Sequence, residues 1–428
     1  MIDSNREIAY KTLLNVETKD AYSSAEILDN EKSGQDTDGR FIRRLVYGVL
    51  ENKLRLDYII NKLVSKGIEG VDKRVLIILR MGIFQLEAMD SVPEYAAINT
   101  SVELAKKFSK GREGFVNAVL RRFVREPEIS CLPDREESLS GFLSLKYSID
   151  ESIINMWIDE FGDDGAEGIA EGFRQISSLC IRVNTFKTSI LDVKKGLEEI
   201  GFKPVISELS DRSLILGGGS DIKITETDLY KDGKISVQSQ ESTYIADLVE
   251  PSPGESVLDV CAAPGGKTLA ISESMQNKGN VLAWDIHEHR VKLIEGQMAR
   301  LGIDIVKTET WDATENRTEL LGEFDKVLVD APCSGYGVMG RKPEIRYRGT
   351  KEVIELPSIQ RKILDVSSKY VKKEGLLIYS TCTINRDENQ SIVEKFLQNN
   401  KNYSLIKERQ LTPLEGYNGF YVAVMKKN

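Results

Sequence analysis

Cys333 and Cys382 each stand just past the end of an apolar, strand-like run, in "KVLVDAPCSG" and "LLIYSTCT". In an open parallel sheet that is the edge where ligands gather. A free cysteine is more often a small buried hydrophobe than a reagent. Two of them at two strand ends, one beside Asp330 and Pro332 and the other in a Thr-Cys-Thr turn, are hard to explain by packing. One chemistry needs such a set. Carbon 5 of cytosine is a poor nucleophile until a thiolate adds at carbon 6 and makes it enamine-like. A nucleophilic thiol, an acid to hold the N3/N4 edge and a second thiol to assist release suffice. Asn385 and Glu388 read as a capping box opening the next helix, whose amino end would favour a thiolate at Cys382.

A second constellation precedes these thiols. "SVLDVCAAPGGKTLAISE" reads as strand, glycine turn and helix, the turn being Cys261, Ala262, Ala263, Pro264, Gly265, Gly266 and Lys267. The glycines let a ligand approach the backbone, and the helix offers its amino end. "GGKT" looks like the tail of a P-loop, but Cys261 occupies the position of the required first glycine, and a G-x-G-x-x-G is absent. Asp285 ends the next strand, where an acid can accept ribose hydroxyls. Asp312, in "TWDAT", follows the third strand and could accept an adenine amino group. Each aspartate alone is more often a cap; the ordered set points to adenosine.

The elements that must position these groups follow from periodicity. Residues 1–127 read as all-helical, with Leu76, Leu79, Ile83 and Leu86 on one helix face. The Pro-rich, charged stretch 125–138 reads as a linker. Residues 140–240 are mixed α+β, and from 241 to 428 strands alternate with helices, as in a doubly wound α/β sheet. The carboxyl-terminal "GFYVAVMKK" reads as an edge strand.

Composition sets the bounds. The 428 residues, 41% hydrophobic and 29% charged, suit two or three folded domains. No apolar run reaches the ~18–20 residues of a membrane span, and the amino terminus lacks a signal-peptide pattern. A cytoplasmic chain without membrane partner is expected. Five scattered cysteines, no C-x-x-C and only two histidines argue against a disulfide framework and against a metal site. The net charge of −9 disfavours nucleic acid, yet two segments are basic. One holds Lys106, Lys107, Lys110, Arg112, Arg121, Arg122 and Arg125; the other, "RKPEIRYRGTK", holds Arg341, Lys342 and Arg346. Both are candidates for phosphate contact.

Taken together, "DVCAAPGGKT", "DAPCSGYGV", "KPEIRYR" and "YSTCTINRDEN" resemble the RNA cytosine-C5 methyltransferases of the NOL1/NOP2/Sun group. "LRMGIFQLEAMDSVPEYAAINTSVELAKKF" and "FVNAVLRRFV" resemble the RNA-binding antitermination factor NusB. The resemblance implies a multidomain chain: a NusB-like RNA-binding domain (1–127), an RRM-like α+β subdomain (140–240) and a Rossmann-like methyltransferase domain (241–428). It implies S-adenosyl-L-methionine as cofactor, held by Cys261 to Lys267, Asp285, Asp312 and Asp330. It also implies Cys382 as nucleophile, Cys333 as the thiol for product release, and a monomer. The combination of parts implies 16S ribosomal RNA as substrate. A transfer RNA cytosine, or an RNA-binding module with an idle methyltransferase domain, are the competing readings, with a P-loop ATPase a distant third.

Overall fold

The computed structural model describes residues 3–19, 38–175, 179–218, 220 and 222–428. The chain folds into two compact units. One comprises Met1–Glu171 with Met339–Glu352, the other Gly172–Val338 with Val353–Asn428.

The first unit is built from α1 (Ser4–Lys19), α2 (Gly39–Glu51), α3 (Lys53–Leu63), α4 (Lys73–Ala88), α5 (Glu94–Phe108), α6 (Glu113–Arg125), α7 (Leu139–Tyr147) and α8 (Glu151–Gln175). Asp38 and Asp72 begin α2 and α4 by accepting hydrogen bonds from backbone amides of the first turn. From Val75 to Gln85 almost every residue of α4 is buried, so it is the central helix, apolar on nearly all sides. Leu79 and Ile83 lie in the core, while Leu76 and Leu86 are only half-buried at its margin. Arg80 interrupts the apolar surface at 3% exposure, and it is paired bidentately with Asp57 (2.5 and 2.8 Å) and also with Glu17.

Two expectations change here. The stretch 140–175, expected as part of a mixed region, is helical apart from 148–150 and a break at Gly162 (φ 73°): Ile153, Ile154 and Trp157 are fully buried at helical spacing. The strands of that region start only at Leu179. The unit also takes up Met339–Glu352, which follows Cys333 in sequence. Its turn Pro343–Tyr347 buries Pro343, Ile345 and Arg346. Arg346 donates to the Tyr147 carbonyl (3.1 Å), its own carbonyl accepts from Asp150 N (2.8 Å), and Thr350 N donates to Ser152 Oγ (3.0 Å).

The second unit contains two sheets. A four-stranded antiparallel sheet, order β2-β3-β1-β4, is formed by β1 (Leu179–Val183), β2 (Lys203–Ile206), β3 (Ser213–Gly217) and β4 (Ile235–Val237). A seven-stranded sheet, order β10-β11-β9-β8-β5-β6-β7, holds β5 (Ser256–Asp259), β6 (Asn280–Asp285), β7 (Val306–Thr310), β8 (Phe324–Asp330), β9 (Val371–Thr381), β10 (Tyr403–Leu411) and β11 (Phe420–Lys427). Strands β5 to β9 are parallel; β11 runs antiparallel to β9, and β10 antiparallel to β11. The carboxyl-terminal strand is therefore interior, not an edge. Its apolar run Phe420–Met425 is buried throughout, as a strand covered on both faces requires. The edge belongs to β10, whose "KERQ" protects it with charge.

Arg182 on β1 ties the four-stranded sheet to the helix Gly266–Ser274 that follows β5. It and Glu273 are each 1% exposed; it clasps that carboxylate through two hydrogen bonds of 2.9 and 2.7 Å and donates another to the Gly266 carbonyl (2.7 Å). Removing one partner of such a pair strands a buried charge, whereas replacing both by apolar groups is often neutral. We expect Arg182→Met to destabilise the unit by about 3–5 kcal/mol in urea unfolding, and Arg182→Met/Glu273→Leu to recover most of the loss. A single variant as stable as wild type would show that the pair does not hold the four-stranded sheet to that helix.

Candidate active site

Strands β5, β6 and β7 proceed one way across the sheet and β8 and β9 the other, so the strand order reverses between β5 and β8. At that reversal the connecting segments diverge and leave a crevice at the carboxyl edge. The glycine turn follows β5 and Asp330 ends β8, so both border it. The turn is fixed by Ala262 N donating to the Trp284 carbonyl (2.7 Å) and Gly265 N to the Ala262 carbonyl (2.8 Å). Gly265 has φ 99°, a left-handed conformation that glycine adopts without strain, and a Cβ there would meet Ile294 at 3.1 Å. Beside the turn, Gln238 Nε2 is buried without a partner among the described residues, 3.5 Å from where a side chain on Gly266 would begin.

Register explains how the two cysteines meet. β8 pairs with β9 so that Asp330 lies level with Ser380. Ala331 N donates to the Ser380 carbonyl (2.9 Å), which carries the alignment one residue further. Cys333 and Cys382, three and two residues beyond the level pair, then approach to 3.3 Å between sulfurs, and Cys382 N donates to Cys333 Sγ (3.4 Å). Both thiols are half-buried. Ser334 and Thr383 hydroxyls bond at 2.7 Å, and Gly337 N donates to the Cys382 carbonyl (3.0 Å). Gly419 N donates to the Gly337 carbonyl (2.7 Å), and a Cβ on Gly337 would overlap Gly419 O at 1.7 Å. Only glycine allows that approach.

Asp330 accepts from Lys267 Nζ (2.7 Å) and from Ser380 Oγ (2.7 Å). Burial acts to lower the pKa of Lys267, but the Asp330 carboxylate outweighs it, with charge on Cys382 and Asp259 adding, so the ammonium is held above its ordinary value. The hydrogen bond to Cys382, then burial, then the charges of Cys382 and Glu388 push the Cys333 thiol well up. Cys261 is also pushed up, by burial and then by the charges of Asp259, Asp330 and Asp285. It packs in the turn as a protonated thiol. Asp285 is 3% exposed at the end of β6, accepting from His287 N (3.1 Å) and paired with Arg290 (3.2 Å). Arg290 also donates to the Ala263 carbonyl (2.8 Å), linking that acid to the turn. Asp312 accepts from Thr314 N (2.9 Å) and Oγ1 (2.8 Å).

The capping-box expectation is corrected. The helix after Cys382 begins at Gln390; Asn385 caps only the short turn Arg386–Glu388, accepting from Asp387 N (3.1 Å). The charge facing Cys382 comes from Lys267 instead. Glu388 turns inward at 0% exposure, where it accepts from Ser334 N (2.8 Å), Gln360 Nε2 (2.9 Å) and Asn385 Nδ2 (2.9 Å). Gln360 also donates to the Pro332 carbonyl (2.9 Å). Glu388 and Gln360 thus clamp the Cys333 loop from behind, a role that sequence reasoning missed.

The basic residues scatter. Arg346, expected among the RNA contacts, is 3% exposed and hydrogen-bonded inside the helical unit, so its guanidinium does not reach a phosphate. Lys106 pairs with Glu103 (2.5 Å), Lys107 with Glu7 (2.8 Å) and Arg122 with Glu126 (3.0 Å), while Arg121 donates to Asn117 (3.1 Å). Arg121, Arg125, Arg341 and Lys342 are exposed. Among the described residues no cluster of metal-ligating side chains occurs, and no helix is long and apolar enough to cross a membrane.

A family model described as 16S rRNA methyltransferase RsmB/F matches residues 246–423, and a NusB family model matches residues 3–125. The chain is 34% identical to the probable ribosomal RNA small subunit methyltransferase B of Bacillus subtilis (strain 168), covering 99% of each. The crystal structure of PH0851 is similar with a TM-score of 0.85 at 26% identity, covering 99% of this chain and 98% of that one. A methyltransferase homolog protein from Pyrococcus horikoshii gives a TM-score of 0.61 at 28% identity, over 67% of this chain and 98% of that one.

Asp259, at the end of β5, provides a pH test of the crevice. It is 1% exposed and accepts from Thr268 Oγ1 (2.7 Å) through one oxygen, while Oδ1 is buried without a partner among the described residues. Burial pushes it up to about 7, opposed in part by the Thr268 hydrogen bond. A folded-state carboxyl above its unfolded value binds extra protons, so its stabilisation is full at acid pH and is lost as pH rises towards 7. Asp259→Asn keeps the acceptor for Thr268 and removes the loss. Between pH 5 and pH 8 the variant should gain about 2–3 kcal/mol on wild type in denaturant unfolding. Parallel pH curves for the two proteins would contradict this.

Proposed function

Because the chain belongs to the ribosomal RNA small subunit methyltransferase B family, we propose that it methylates carbon 5 of a cytosine in 16S ribosomal RNA through a transient bond between Cys382 and carbon 6. Its cofactor is S-adenosyl-L-methionine, which supplies an electrophilic methyl group. The crevice suits that ligand. A glycine turn open to close approach, the unpartnered Nε2 of Gln238, and Asp285 and Asp312 beyond the next two strands offer backbone, donor and acceptors for an amino acid joined to a nucleoside. Cys261 to Lys267, Asp285, Asp312 and Asp330 would hold it. The reading includes a monomer acting in the cytoplasm.

The observation that carries the proposal is the 3.3 Å thiol pair beside the Lys267–Asp330 bridge. The target base must leave its stack to enter. Asp330, steadied by Lys267 and Ser380, would hold the N3/N4 edge of the cytosine. Before attack, Cys333 is kept protonated by its hydrogen bond to Cys382, by burial and by neighbouring charge. The Lys267 ammonium faces Cys382, where the attacking thiolate would form. Attack converts that thiolate to a neutral thioether and places an electron pair at carbon 5, which takes the methyl group. Two of the influences that raised Cys333, the hydrogen bond and the charge of Cys382, are then gone. Cys333 then gives its own proton to solvent and, as thiolate, takes the carbon-5 proton; the electrons of the C5–H bond re-form the 5,6 double bond, the C6–S bond breaks, and Cys382 leaves as thiolate. Arg121, Arg125, Arg341 and Lys342 remain our candidates for RNA backbone contact, with Lys106, Lys107 and Arg122 contributing where RNA displaces their carboxylate partners.

Methyl transfer from labelled cofactor to unmodified 16S ribosomal RNA tests the reading. Cys382→Ala should transfer nothing, while Cys333→Ala should accumulate a covalent RNA adduct visible on a denaturing gel. Turnover by Cys382→Ala would sink the covalent mechanism.

A further inference from the structure

In the helical unit Lys106, Lys107, Arg121 and Arg122 have a carboxylate or amide partner, while other cations, two of them around one cleft, do not. Lys66, just beyond α3, and Arg112, at the start of α6, are exposed and have no side-chain hydrogen bond or ion pair among the described residues. Both line one cleft of about 330 Å³, together with Phe115, which is 37% exposed. The rim is low. Gly67 holds φ 73° and Gly70 would carry a Cβ with no neighbour closer than 3.8 Å, so a ligand backbone can come close. The one carboxylate lining the cleft, Asp72, is occupied in capping α4, accepting from Arg74 N (2.9 Å).

We propose that this cleft is a subsite for single-stranded RNA, stacking one base on Phe115 and placing the flanking phosphates against Lys66 and Arg112. An exposed ring between unpaired cations suits a nucleotide, since every base has a face to stack and each phosphate a charge to neutralise. An acidic peptide would engage the cations and have no use for the ring. The inference rests on RNA being the substrate and adds a place on the helical unit where RNA is gripped.

The test uses the full chain with Cys382→Ala, so that no adduct forms, and a labelled single-stranded RNA of mixed sequence followed by fluorescence anisotropy. Phe115→Ala should weaken binding about fivefold or more. Lys66→Gln/Arg112→Gln should lower the slope of log affinity against log salt by about 1.4. Arg121→Gln, outside the cleft, should leave the Phe115 dependence intact. If Phe115→Ala unfolds, Phe115→Tyr, which keeps a stacking face, should bind like wild type, and the two-cation variant carries the decision. Cleft variants that bind RNA as wild type overturn the proposal. So does polyglutamate that competes with RNA through Lys66 and Arg112 but independently of Phe115. Methyl transfer by the wild-type chain is measured alongside. If it fails while Phe115-dependent binding persists, the substrate reading falls and the cleft stands; if it succeeds while binding ignores the cleft, only the cleft falls.

Discussion

Everything at the candidate site depends on how β8 and β9 are paired. A parallel ladder fixes which residues are level, and a slip of one residue would turn each side chain to the opposite face. With Asp330 level with Ser380, the chain beyond each strand has only two or three residues in which to bring a sulfur to its partner. The same register gives the Asp330 carboxylate the Ser380 hydroxyl, so the acid and the thiol pair are set by one set of backbone hydrogen bonds. Buried residues on both faces, among them Val327, Val329, Leu377 and Tyr379, hold that register against sliding.

Electrostatics at the crevice is a balance among groups that are individually costly to bury. Asp259, Asp330 and Asp285 converge there with Cys261 and Cys333, and Lys267 is the cation placed among them. Lys267 therefore holds a carboxylate in position and faces the sulfur that would carry charge. Arg290 does comparable work at the far side, spanning Asp285 and the glycine turn. At Lys267 an isolated cation would be expensive; one with Asp330 and Asp259 beside it is stabilised.

Much of this was legible in the sequence because local chemistry and topology agree at strand ends. "APGG" demands a turn, "WD" ends an apolar strand, and "DAPC" and "STC" end two more, so the parallel sheet alone places them on one edge. What could not be read depends on distant partners. Glu388 looked like a helix cap from its spacing to Asn385, and only the fold shows that it faces Ser334 and Gln360. Arg182 carries no local motif; its meaning lies in Glu273 and Gly266. The basic "RKPEIRYR" resembled a phosphate-binding surface, yet its alternate members are apolar and its Arg346 is interior. The last strand lies inside the sheet and not at its edge, and its unbroken apolar run is that of a strand covered on both faces.

The segment Met339–Glu352 changes how the two halves of the chain can be regarded. They are not interchangeable cassettes. The loop bearing Cys333 leaves the catalytic unit at Val338 and re-enters it at Val353, and the stretch between is seated in a socket formed by Tyr147, Asp150 and Ser152. The loop is consequently a span moored at both ends and not a free flap. A foreign helical domain grafted in front of residue 172 would lack that socket and leave Ile345 and Arg346 unhoused.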